Sequence, residues 1–597
     1  MGLGRSLWIT GISLFSTLCT MSVAHAQQGL FLAYPPDRYE TTADRIFLIG
    51  TAPPDQMVTV NGEPIGDRSP AGHFAPSVPL QMGENRLVLR AGAQERVVVV
   101  TRLSVAPPEP VGVAFATDSL LPAVDIARSV GEVTCFGAIA PVQATVSAEL
   151  GNQVIPLLPD PEVVELPPNS AVLTLQNQPV ERSQSTQYRG CAMFSTPGNL
   201  GYPQFRLSLD GQTVVQTGTG QVSILSPTQF QIVTVTAPSG TARTGPSTDY
   251  SRLTPLPTGT QAAITGREGD WYRLDYGAWI AASQVQVSNA PVPPRSLIRS
   301  VRSQSRVGWT EIRFPLQVPV PVSVQQGDRT FTLTLHNTTA QTDTILFNDD
   351  PLVARIDWTQ PAPNQVQYTF SLKPEQQWGY TLAYEGTTLV LSLRHPPELP
   401  SPTAAEPLRG VTILLDPGHG SENDLGARGP TGYPEKDVNL VVSRLIRDRL
   451  LERGATVYMT REGDDDLFPQ DRVDQINALQ PTIALSIHYN ALPDAGDALN
   501  TAGIGMFWYN PQAHSLSVFL QEYLTETLDR PSYGVFWNSL ALTRPTVAPS
   551  VLLELGFMIN PYEFEWIVDP VEQERLAEAI AAGVTQWLQE STELTGD

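Results

Sequence analysis

At residue 411 the hydrophobic rhythm of the chain changes, and that change limits what each part can fold into. Upstream, apolar and polar residues alternate over short runs broken by turn residues. Val58-Thr59-Val60-Asn61-Gly62 is one such run, and its Asn-Gly pair is a hairpin signal. Downstream, short β-branched runs alternate with stretches of helical spacing. The run 411–415 precedes a helix over 436–453, where Val438, Val441, Val442, Leu445, Ile446 and Leu450 recur on one face and Gly454 follows as the cap. Further strands are expected at 455–459, 482–487, 503–508, 540–543 and 550–553, with helices at 471–479, 514–528 and 570–588. Alternation of this kind implies an α/β domain with a mostly parallel sheet and helices on both faces, behind a series of all-β domains.

The 597 residues exceed what one core holds, so roughly four or five domains are expected. The 53 prolines fit short strands and loops. The expected order is a signal peptide at 1–26, a β-sandwich at 27–105, a second at 106–226 and a small β-domain at 227–290. A further β-domain at 291–396, a Pro-rich linker at 397–407 and the α/β domain at 408–597 complete it. The signal rests on Arg5, the apolar stretch from Leu7 to Cys19 and the cleavage-type Ala24-His25-Ala26. A lipid anchor on Cys19 is disfavoured, because Leu18 stands where a small residue would be expected. No later stretch is long and apolar enough for a membrane anchor. A net charge of -23 argues against a nucleic-acid partner. Cys135 and Cys191 remain after cleavage. In an oxidising compartment a lone pair is most simply a disulfide, worth roughly 4 kcal/mol for such a loop, with two unbonded buried thiols as the alternative.

Ligands of parallel sheets bind beyond the carboxyl ends of the strands. Three polar groups fall there: His419 after 411–415, His488 after "ALSI", and Glu554 after "SVLL". A fourth, Glu435, opens the long helix. Alone, each histidine reads as structural and Glu435 as a first-turn acid favoured by the helix dipole. Glu554 is the odd one, since a carboxylate after Val551-Leu552-Leu553 is costly unless paired or metal-bound. Two imidazoles and a carboxylate are the donor set of a catalytic zinc, and a further carboxylate supplies a general base.

The stretches "LLDPGHGSENDLGARGPTGYPEKDVNL", "GATVYMTREGDDD", "DRVDQIN", "ALSIHYNA" and "PSVLLELGFMIN" together resemble the catalytic domain of zinc-dependent N-acetylmuramoyl-L-alanine amidases. That resemblance implies one Zn²⁺ held by His419, Glu435 and His488, with Glu554 as the catalytic carboxylate. It implies that Pro417, Gly418 and Gly420 let the backbone turn beside the metal. Asp416 would support a ligand histidine or simply form the turn. Asn490 and Arg544 would contact substrate, with a structural ion-pair partner as the alternative for Arg544, while Arg461 and Arg472 would be structural and His514 solvent-facing. Peptidoglycan is then the substrate, and an activator or localising cell-division protein is a candidate partner. The block at 27–105 resembles an immunoglobulin-like sandwich. The block at 227–290 resembles a bacterial Src-homology-3-like domain through Trp271, Tyr272 and Trp279, which equally well fill a barrel core. The block at 291–396 resembles AMIN-type wall-localising domains. An exported, periplasmic enzyme is expected. The competing readings are a wall-binding scaffold with a degenerate catalytic domain and a zinc peptidase of the stem peptide. The segment between Asn490 and Glu554 is accounted for by ordinary elements, so a helix plugging the site, as in some relatives, is not expected.

Overall fold

The computed structural model describes residues 29–104, 110–160, 163–165, 180–182 and 187–593. The expected signal peptide, including Cys19, lies outside them.

Four β-rich blocks precede the α/β domain, each around its own apolar cluster. In the first, the sheet Arg38–Thr41, Gln94–Arg102, Gly83–Ala91, Val58–Val60, Glu63–Pro64 shares a core with Phe31–Tyr34, Ile49–Thr51 and His73–Phe74. Alternation sets the register: Leu87, Leu89, Val98 and Val100 point inward from the paired long strands. In the second, Cys135 and Cys191 stand opposite each other on antiparallel strands and are disulfide-bonded, Cα to Cα 4.0 Å. The second and third blocks are less separate than their sequences suggest. Ile126–Arg128 pairs with Gln261–Glu268, so one sheet runs through both. In the third block Trp279 is buried, while Trp271 and Tyr272 are only partly so.

The α/β domain contains β1 (Thr412–Pro417), α1 (Glu435–Glu452), β2 (Thr456–Met459), α2 (Pro469–Leu479), β3 (Ile483–Asn490) and β4 (Ile504–Trp508). It continues with α3 (His514–Leu528), β5 (Ser532–Trp537), β6 (Ser550–Phe557), α4 (Pro561–Val568) and α5 (Pro570–Glu593). Sheet order is β2-β1-β3-β6-β4-β5. Every neighbouring pair is parallel except β6 with β4, which is antiparallel. The domain core follows from period two in the strands. Ile413, Leu415, Ile483, Leu485, Ile487, Val551 and Leu553 face α1, α3 and α5, whereas Leu414, Ala484 and Leu552 face α2. On α1, Val438, Val442, Ile446 and Leu450 recur every four residues and are wholly buried. Each contributes about 1.5–3 kcal/mol of burial, so a charge at any of them would unseat the helix that carries Glu435.

The structure corrects several boundaries. The expected strand at 540–543 is a 3₁₀ turn, Ala541–Thr543, and the strand at Ser532–Trp537 and helix α4 were not anticipated. Strands β3 and β6 run past their expected ends, so His488 and Glu554 lie inside strands. The segment 397–407 is not a free linker throughout, since Leu399 packs against the α/β core.

The upstream blocks dock at opposite ends of this sheet. Trp378 packs on Trp587, with ring centroids 5.4 Å apart, and Arg394 donates to the carbonyls of Pro481 and Val547 near the start of β6. The first block instead sits at the carboxyl ends of β3 and β6.

Candidate active site

The strand alternation that buries Leu414, Ala484 and Leu552 also aligns Asp416, Ser486, His488 and Glu554 on the same face. His488 and Glu554 are register neighbours across β3 and β6. His419 arrives from the loop after β1, and Glu435 from the first residue of α1. Ligating atoms of His419, Glu435 and His488 all lie within 4.8 Å of one another, the only such group among the described residues. His419 Nε2 is 3.2 Å from Glu435 Oε2, and His488 Nδ1 is 3.1 Å from Glu435 Oε1.

Glu435 is fully enclosed. Its Oε1 accepts from the Tyr489 backbone N–H (3.0 Å) and Asn439 Nδ2 (3.1 Å), and its Oε2 accepts from the Ala427 N–H (2.9 Å). Burial alone would raise its pKa, but the His419 and His488 contacts prevail and hold it well below the usual carboxylate range. Burial likewise opposes a proton on His419, yet Glu435 and then Asp424 outweigh it and raise that pKa to about 9. Glu554 behaves oppositely. Burial, and then the negative Glu435 nearby, push its carboxyl well above the normal value. Its Oε2 is buried and has no hydrogen-bond partner.

The backbone around these groups has no spare room. A Cβ on Gly418 would sit 2.1 Å from His488 Cε1, and one on Gly426, where φ is +68°, 2.5 Å from Glu435 Oε2. These glycines are needed for clearance. The sharp turn itself falls on His419, whose φ of 61° is unusual for a side chain of that size. Two buried arginines hold the loop in that conformation. Arg461 donates to the carbonyls of Pro417, Gly418 and Lys436, and Arg472 to those of Pro417 and His419. Asp416 anchors Arg472 (2.6 Å) and also accepts from Thr460 and Ser486, each at 2.6 Å.

Asp416 therefore steadies the loop from beneath, its carboxylate bonded to Arg472, Thr460 and Ser486 and to neither histidine of the cluster. The carboxylate that meets a cluster histidine is Asp424, whose Oδ1 is 2.5 Å from His419 Nδ1. Nothing in the sequence marked Asp424, since a loop has no periodicity and its five-residue spacing from His419 carries no pattern. Asn490 is beside the cluster and buried, with its Oδ1 taken by the Ala491 N–H and its Nδ2 unpaired. Arg544 is elsewhere. It precedes the start of β6, at the sheet end away from Glu554, and donates to the Ser539 carbonyl and hydroxyl. Burial, with Arg252 and Arg243 nearby, lowers its pKa to about 10. His514 is exposed at the start of α3, its ring 4.6 Å from that of Trp508.

Three nitrogen and oxygen donors converging on one point, with an unpaired buried carboxyl beside them, fit a metal centre with a proton-transfer group. Residues 413–586 match the family model described as N-acetylmuramoyl-L-alanine amidase, and residues 239–286 match a bacterial SH3 domain. The germination-specific N-acetylmuramoyl-L-alanine amidase of Bacillus subtilis is 34% identical over 206 residues, 31% of this chain and 82% of that protein. The probable cell wall amidase LytH of Staphylococcus aureus is 34% identical over 180 residues, 30% of this chain and 58% of its own. Among solved structures, an N-acetylmuramoyl-L-alanine amidase from Clostridium difficile 630 aligns at 27% identity over 30% of this chain and 97% of that one, with a TM-score of 0.29. Through its C-terminal α/β domain, the chain belongs to the N-acetylmuramoyl-L-alanine amidase family.

Proposed function

We propose that this chain is an exported, zinc-dependent amidase that hydrolyses the bond between the lactyl group of N-acetylmuramic acid and L-alanine in peptidoglycan. The observation that carries the proposal is the convergence of His419, Glu435 and His488 within 4.8 Å, with Glu554 beside His488 on the adjoining strand. His419, Glu435 and His488 would hold the ion, which when bound supplies Lewis acidity to a water and to the scissile carbonyl. Glu435 contributes the negative charge of the set, and its three backbone and amide donors hold it in orientation. Asp424 orients His419 through Nδ1 and leaves Nε2 turned toward Glu435. Glu554 takes the proton from the attacking water and returns it to the leaving alanine nitrogen. A carboxyl with raised proton affinity suits that two-way transfer. Asn490 Nδ2, buried and unpaired, is available to a substrate carbonyl.

The signal-like residues 1–26 support export, with the periplasm as the expected compartment. Among the described residues no helix is long and apolar enough to cross a membrane. Digestion of purified peptidoglycan, with and without chelator, tests the proposal by mass spectrometry. Free stem peptides beginning at L-alanine, formed only when zinc is supplied, are the expected product. Cleavage within the stem peptide would make the protein a peptidase, and intact stems under all conditions would refute the amidase.

A further inference from the structure

The first β-block is fastened to the segments that carry the site, and these contacts differ from those of a tethered targeting module. Three hydroxyls of this block converge on one carboxylate, Asp494, in the loop that follows β3. Thr41 Oγ1 donates to Asp494 Oδ2 at 2.6 Å, Tyr39 Oη to Oδ1 at 3.2 Å, and Tyr34 Oη also to Oδ1. Burial, together with Asp494 itself, raises the pKa of the Tyr34 phenol, so it stays a donor throughout any working pH.

An apolar seam lies beside this clamp. Phe47, Ile49 and Ala75 of the block pack with Ala498 of the same loop, with Phe557, which ends the strand of Glu554, and with Ile559 just beyond it. A third contact lies ahead of Glu435, where a Cβ on Gly432 would come 3.1 Å from the Phe31 ring. Around α4 the docking continues. His73 meets Phe564 edge-on at 5.3 Å, Ala71 N–H donates to Glu565 (2.8 Å), and Tyr562 Oη donates to the Arg68 carbonyl (3.2 Å). The block thus touches the chain just after His488, just after Glu554 and just before Glu435.

We infer that the 29–104 block is a fixed wall of the catalytic groove, and that Asp494 is a positioning residue through which it holds the loop after His488 and Asn490. This rests on the amidase reading for its kinetic consequence, but not for its structural one. Loops are the most mobile parts of a fold, and 491–503 contains no helix or strand of its own. Its ties within the α/β domain are turn bonds such as Asn500 N–H to Asp497, two carbonyls held by Asn560 Nδ2, the Gly503 N–H bond to Glu563, and Ala498 packed on Phe557 and Ile559 in the same seam that the block covers. A small displacement of groups beside a reacting centre costs up to about a hundredfold in rate.

The experiment compares the full-length chain with a triple variant, Tyr34→Phe, Tyr39→Phe, Thr41→Val. These changes remove hydroxyls and keep the ring packing and the apolar seam. Asp494→Ala and Asp494→Asn accompany it, the asparagine retaining an acceptor for the hydroxyls. Two readouts are taken: hydrogen exchange of the amides of 491–502, and steady-state hydrolysis of a soluble muropeptide with zinc content measured. The expected result is faster exchange in that loop for the triple variant and Asp494→Ala. It is accompanied by a roughly tenfold or larger rise in KM, unchanged zinc stoichiometry, and substantial recovery in Asp494→Asn. A fall in kcat alone that follows the folded fraction would reduce the clamp to a stability contact and overturn the inference. Unchanged exchange, or faster exchange with unaltered KM, would overturn it as well. Should the wild-type chain release no stem peptide, the amidase reading falls, and the exchange comparison alone then decides whether the block holds the loop.

Discussion

The two ends of the α/β sheet are built from similar residues and differ in what their unpaired polar groups stand beside. At the carboxyl end of β3 and β6, buried polar groups are left incomplete: Glu554 Oε2 and Asn490 Nδ2 have no partner, and His419 sits at a positive φ. At the other end Gln512 Oε1 is also buried without a partner, but the polar groups around it bond mainly to backbone carbonyls. Asn510 Nδ2 spans those of Thr543, Arg544 and Pro545, Arg544 caps Ser539, and Arg394 reaches across from the fourth β-block to Pro481 and Val547. Unpaired buried groups cost stability, so a fold retains them where something else binds, whereas carbonyl-capped arginines rivet elements together. Arginines on carbonyls occur at both ends, Arg461 and Arg472 among them, so what sets the carboxyl end apart is that its unpaired groups stand beside the His419, Glu435 and His488 cluster.

Four substitutions would break or sharpen that contrast. Glu554→Gln keeps the shape and removes the proton carrier; hydrolysis of a soluble muropeptide should fall about 10²–10⁴-fold with zinc content unchanged. A smaller loss would move the proton transfer to another group.

Asp416→Asn strikes the support beneath the loop. It leaves Arg472 buried beside a neutral partner, and the expected loss is about 3–5 kcal/mol, read as a lowered denaturation midpoint. Burial works against the Asp416 carboxylate, but Arg472 and the two hydroxyls prevail and depress its pKa. Its contribution to stability is therefore complete above the unfolded value near ~3.9 and drains away as pH falls through the lower folded value. The variant's stability should consequently depend less on pH in that acid window than the wild type's.

Asp424→Ala releases the outer nitrogen of His419. Zinc affinity, measured by chelator competition, should weaken about 10–100-fold, with little change in thermal midpoint. Arg544→Ala should do least. Activity should stay within about twofold, with a stability cost near ~1 kcal/mol for its carbonyl bonds. A large rise in KM would return Arg544 to the substrate-contacting part expected from family resemblance.

Much of the site was legible because strand ends and motif spacing are local properties. The run Val411 to Leu415 followed by Pro417-Gly418-His419 marked one histidine of the cluster, "ALSIHYN" the second, and "SVLLELGF" the carboxyl beside them. The strands were placed by alternation and α1 by its fourfold apolar repeat. Local pattern was weakest where context decides. The residues 540–543 are apolar enough for a strand but are held as a turn by Thr543 Oγ1 bonding to the Asn538 and Leu540 carbonyls. "SYGVFW" at 532–537 forms an edge strand because β4 is there to pair with it.

The sequence by itself determined the alternation of strand and helix, the four polar groups at the sheet rim and the cysteine pair. Each depends on residue type and on spacing within a few positions. Only the tertiary structure decided that Asp424 meets His419, that Asp416 serves Arg472, that Arg544 stands at the far end of the sheet, and that Asp494 is shared with the first β-block. Those relations join residues distant in the chain or within an aperiodic loop. They are set by how sheets and blocks pack, so neither propensity nor period carries them.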